Sequence, residues 1–117
     1  ISAIENENVD IIGHPTGRII DQREPYEMDM QAVLEAAART NTALEINSYP
    51  SRLDLSDVNA RAAKEMGVRM SINSDAHDPE QLLTMKYGVN VARRAWLEKK
   101  DVLNALSLKE LLSELKR

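Results

Sequence analysis

At 117 residues the chain is long enough for one domain with a core of its own. An ordinary apolar fraction argues against disorder, and a net charge of −4 with no basic block leaves no electrostatic footprint for nucleic acid or an anionic membrane, although nucleic acid handled at a metal site stays open. The absence of cysteine excludes disulfides and thiolate metal sites, and no apolar stretch approaches the ~18 residues of a membrane span.

In chain order, Ile1, Ala3 and Ile4 read as the end of a helix, and the start at Ile1 rather than Met suggests excision from something larger. A strand is expected from about Val9, followed by a loop over residues 15–27. Met30, Val33, Leu34 and Ala37 recur at helical spacing, with Asp29 as N-cap and Asn41 at the left-handed position after the helix. A strand from Ala43 follows at once. The next helix runs from about Ser56, with Val58, Ala62 and Met66 spaced by four, and Gly67 ends it before a strand from Val68. Asp78 is placed to cap a further helix, with Pro79 in the first turn and Gln81 able to reach back. A short helix is expected over residues 88–94. Ser107 and Glu110 have capping-box spacing before the single-faced Leu108, Leu111, Leu112 and Leu115.

The order strand, helix, strand, helix, strand predicts an α/β fold with right-handed parallel crossovers. Three strands are few for an independent sheet, and their edges would be open unless covered. A complete (β/α) barrel takes roughly 250 residues. The chain therefore reads as part of a barrel.

The polar residues that follow the apolar runs carry the chemistry. His14 comes after the first run, Glu45 and Asn47 lie in the second, and Asp75 and His77 come after the third; the two histidines of the chain both belong to this set. Alternation puts Glu45 and Asn47 on one side of their strand, Ser71 and Asn73 on one side of theirs, and Asp10, Ile12 and His14 on one side of the first. Neighbouring parallel strands would bring these groups together at one end of a sheet, where α/β folds carry their sites. Histidine nitrogen and aspartate oxygen suit zinc, manganese or iron, and Asp75-x-His77 offers two ligands on one loop. Three protein ligands are too few for a closed polynuclear site. Each residue also has a plainer role: His14 as a turn histidine, Asp75 and Asp78 as turn and cap residues, Glu45 paired with an arginine, Asn47 satisfying loop backbone. Arg18 and Arg23 could hold phosphate or simply be ion-paired.

The run Asp10-Ile11-Ile12-Gly13-His14-Pro15-Thr16-Gly17-Arg18, the strand Leu44-Glu45-Ile46-Asn47 and the loop Asn73-Ser74-Asp75-Ala76-His77 resemble the signatures of the polymerase and histidinol phosphatase (PHP) superfamily. The segment from Tyr87-Gly88-Val89 through Trp96-Leu97, with Asp101-Val102-Leu103-Asn104 and a Leu-rich tail, resembles the PHP domain of bacterial and archaeal family X DNA polymerases. The resemblance covers nearly the whole chain. It implies a distorted (β/α)7 barrel with up to three divalent metal ions, manganese or zinc, at the C-terminal ends of its strands. It makes His14, Asp75 and His77 metal ligands, with Glu45 and Asn47 behind them orienting ligands or water. The family's N-terminal His-x-His motif and the ligands after it would precede Ile1.

The whole chain, residues 1–117, is thus expected to be the C-terminal half of a PHP domain, about three parallel strands with flanking helices. In the parent, the resemblance implies a manganese-dependent 3′–5′ exonuclease and DNA end-processing activity in DNA repair. Its partners would be the N-terminal half, the polymerase domain and DNA, in the cytoplasm and not at a membrane. With most ligands missing, the isolated chain is expected to be inactive, with partial metal occupancy or none, and to self-associate through open edges. The rival readings are a small-molecule phosphatase of the histidinol-phosphatase kind and a non-catalytic structural module that keeps the fold.

Overall fold

The computed structural model describes residues 1–116. Its strands are β1 (Ile11–Ile12), β2 (Ala43–Asn47) and β3 (Met70–Asn73). They form one parallel sheet in the order β1-β2-β3, with Ile12 opposite Leu44 and Ile46 opposite Ile72. The helices are α1 (Met30–Thr40), α2 (Asp57–Glu65), α3 (Met85–Arg94) and α4 (Leu108–Glu114). Among the described residues, no helix is long and apolar enough to cross a membrane.

Two successive crossovers in sequential strand order have both connecting helices packed in one core on one face of the sheet, the winding of a barrel rather than of a doubly wound sheet. Leu44, Ile46, Met70 and Ile72 point into that side. They form the core with Val33, Leu34, Ala36 and Ala37 of α1, Ala60 and Ala63 of α2, and Val91 and Ala92 of α3. The small residues let the helices come close. A Cβ on Gly88 would stand 2.0 Å from Ser48 Oγ and 2.7 Å from Ile72 Cγ2, so only glycine lets α3 sit this near the sheet.

Several local signals hold. Asp29 accepts from the Ala32 N–H, Asn41 is left-handed (φ 56°), Asp78 accepts from the Gln81 N–H, and Ser107 and Glu110 close a full capping box. Others are corrected. The first strand is two residues long, because His14 turns to positive φ (24°) soon after Ile12. The first residues make a single turn, closed by the Glu5 N–H on the Ile1 carbonyl, instead of a helix. The buried face of α2 centres on Ala60 and Ala63; of the expected row, Ala62 and Met66 are half-buried against the core, whereas Val58 is 73% exposed. Pro79–Thr84 is a 3₁₀ turn that leads into α3, which starts at Met85 rather than Gly88. The leucine face of α4 is covered only in part, with Leu111 and Leu115 half-buried and Leu108 and Leu112 exposed.

The expectation of two open edges is also corrected. Val102 bridges Met70 at the outer edge of β3. Beside it the Asn104 side chain imitates a peptide group: its Oδ1 accepts from the Ile72 N–H and its Nδ2 donates to the Ile72 carbonyl, both at 2.8 Å.

Candidate functional site

The face of the sheet away from the helices is polar. The parallel register sets Glu45 beside Ser71 and Asn47 beside Asn73. Glu45 is the hub. Its Oε1 accepts from the His14 backbone N–H at 3.0 Å and from Asn47 Nδ2 at 3.1 Å, and its Oε2 accepts from Asn73 Nδ2 at 2.8 Å. Asn73 also donates to Ser71 Oγ. The arginine partner considered for Glu45 is replaced by these amides.

Asn47 is buried, and both ends of its side-chain amide are engaged. Its Nδ2 donates to Glu45 and, at 3.2 Å, to Asp75 Oδ2, while its Oδ1 accepts from the Tyr49 N–H. Two carboxylates, one from β2 and one from the loop after β3, are therefore held by one amide. Asp75 is half-buried and has a left-handed backbone (φ 54°). His14 shares that feature. Positive φ costs a side-chain-bearing residue about 1–3 kcal/mol and collects at functional sites.

Both histidines are exposed. The His77 N–H donates to Gln81 Oε1 at 2.7 Å, so Gln81 does reach back, to the residue before the cap. Among the described residues, neither imidazole makes a hydrogen bond or ion pair. A cleft of about 370 Å³ opens beside the strand ends, lined by Asp75, His77, Tyr49, Ser51, Arg52 and Gln81, together with Ile19. His14 does not line it. Asp75 and His77 are brought to this cleft, whereas His14 is tied to the cluster through its backbone on Glu45.

Arg18 lies elsewhere. Its Nε donates to the Arg52 carbonyl at 2.8 Å and its Nη2 to the Leu53 carbonyl. Arg23 is likewise committed, to the Gly17 carbonyl and the Tyr26 ring. The arginine that reaches the cleft is Arg52, which sequence reasoning passed over.

Asp54 was missed as well. It is fully buried, and its Oδ2 accepts three bonds at 2.9 Å, from Thr16 N–H, Thr16 Oγ1 and Gly17 N–H. Burial pushes its carboxyl above the usual range, against the pull of those donors and of Arg18. The polar Asp54 between Leu53 and Leu55 was the one visible hint.

The donor chemistry suits a divalent ion, but the number falls short: among the described residues, no three His, Asp or Glu side chains are grouped closely enough to hold a metal.

No family model matches the chain. It is 52% identical, over 99% of its length, to the DNA polymerase/3′–5′ exonuclease PolX of Bacillus subtilis (strain 168). The chain belongs to the PHP family. Over its full length it is also 38% identical to a probable phosphatase of Thermoanaerobacter sp. (strain X514), and over 89% it is 34% identical to one of Shewanella sediminis (strain HAW-EB3). The chain spans 20% of the Bacillus relative and less than half of the two phosphatases, 49% and 42%. This PHP chain thus has the α/β, partial-barrel character that the resemblance implies.

Proposed function

We propose that this chain supplies one part of a phosphoesterase site, as the PHP segment of a longer protein that trims DNA 3′ ends during repair. The observation that carries this reading is the Glu45–Asn47–Asp75 cluster, set at the strand ends beside the cleft that holds His77 and Arg52. The similarity to PolX supports the nucleic-acid substrate.

In this reading His14, Asp75 and His77 contribute donors to divalent ions, manganese or zinc, whose remaining ligands lie outside this chain. Such ions, when bound, supply Lewis acidity and an activated water. The chain's own residues do the positioning. Asn47 holds the Asp75 carboxylate, Glu45 holds the His14 loop, and Arg52 meets the phosphate, a role that Arg18 leaves to it by binding the Arg52 carbonyl. The missing domain parts are the partners that complete the site. Self-association is narrowed to the outer edge of β1, because the edge of β3 is filled.

A manganese titration with a labelled single-stranded oligonucleotide tests this. The 117-residue chain alone should show no cleavage, and a longer protein containing it should show chelator-sensitive cleavage that is lost in Asp75→Ala. Robust cleavage by the isolated chain would defeat the incomplete-site reading. The phosphatase-named relatives favour a second reading, a small phosphomonoester as substrate. Rates of the longer protein on histidinol phosphate and on a DNA 3′ end separate the two.

A further inference from the structure

The strap over residues 52–55 takes over the edge of β2 that β1 leaves free after Ile12. The Asn47 N–H donates to the Asp54 carbonyl at 2.6 Å, the Asp54 N–H returns to the Asn47 carbonyl, and the Leu55 N–H reaches the Glu45 carbonyl. Asp54 is thereby pinned by its backbone to the residue whose side chain holds Asp75. Its carboxylate turns the other way, into the loop after β1, and binds Thr16 and Gly17, two and three residues beyond His14. Gly17 is left-handed (φ 69°), and a Cβ there would strike the Tyr26 ring at 2.3 Å, so the loop has one tight path.

Asp54 Oδ1 has no partner, the only buried side-chain oxygen among the described residues of which that is true. The other oxygen gathers three donors from a single loop.

We propose that Asp54 is a positioning residue for His14: through Asn47 on one side and Thr16–Gly17 on the other, it sets the placement of the His14 loop relative to Asp75. The proposal rests on the reading that His14 and Asp75 serve one site.

The test uses NMR on the 117-residue chain. In Asp54→Ala, with the amides of Leu44 and Ile46 still protected, exchange at the Thr16 and Gly17 amides should rise about tenfold or more and the His14 ring signals should move. Asp54→Asn keeps an acceptor oxygen and should restore both. Thr16→Val removes one of the three bonds and should give a smaller change in the same direction; it carries the test if Asp54→Ala does not fold. Unmoved His14 and Gly17 signals in the folded variant would overturn the proposal. So would reproduction of the same loop signature in the unsubstituted chain, brought by urea to equal global stability, since that marks a merely stabilising role. Failure of metal-dependent cleavage in the longer protein would instead overturn the site reading and leave the loop data standing.

Discussion

The two faces of the sheet are built from alternate residues of the same strands and are held by different physics. Leu44, Ile46, Met70 and Ile72 meet helices, and burial of apolar area holds that face. Glu45, Asn47, Ser71 and Asn73, one residue away in each case, meet each other, and hydrogen bonds between side chains hold that face. The apolar face needs shape and volume and tolerates many apolar residues. The polar face needs particular atoms: replacing one amide strands its partners. Stability is therefore concentrated on the helix side and specificity on the other.

Leu44→Ala is the strongest way to break that division. Leu44 is fully buried, and truncation should cost about 2–5 kcal/mol in urea unfolding. Asn47→Ala should cost less, about 1–3 kcal/mol, because the loss is of hydrogen bonds and not of packed volume. Its signature should be local: the Asp75 and Tyr49 amides shift while core signals stay. If Asn47→Ala costs as much as Leu44→Ala, the polar face is structural and the division fails.

The same contrast sorts what could be read in the sequence. The apolar face was legible because periodicity reports it directly, as Val33, Leu34 and Ala37 show. Caps were legible because Asp29, Asp78 and Ser107 act within their own turn. α2 misled in part: Ala62 and Met66 do pack against the core, but Val58, one turn earlier at the same spacing, lies in solvent. In the site, Glu45, Asn47, Asp75 and His77 stood out by position after apolar runs. Asp54, Arg52 and Asn104 did not, because their partners lie 32 to 38 residues away along the chain or in a loop without periodicity. Beyond the placing of Asp54 between two leucines, nothing local in the sequence marks these side chains that bond to distant backbone.

Asp54 gives a pH test of the boundary between the faces. Its folded-state carboxyl is raised, chiefly by burial. The folded state therefore holds the proton more tightly than the unfolded state does. Asp54 contributes its stability in full below the ordinary carboxylate value and loses it as pH rises through the raised one. The stability of the unsubstituted chain relative to Asp54→Asn should accordingly decline with rising pH, measured as paired urea midpoints. A flat difference would mean that the carboxylate is fully compensated by Thr16, Gly17 and Arg18.

The smallest effect on stability is expected at Arg52, and there the contrast is sharpest. The side chain is half-buried and its one long bond, 3.4 Å to the Arg18 carbonyl, is easily replaced by water. Arg52→Gln should change stability by no more than about 0.5 kcal/mol. A charged hydrogen bond to phosphate, however, is worth about 1.5–3 kcal/mol, so inorganic phosphate followed at the His77 and Asp75 amides should bind roughly tenfold more weakly or worse. A residue that costs nothing to the fold and most of the anion affinity belongs to the site alone. Equal phosphate binding by both proteins would remove Arg52 from the site.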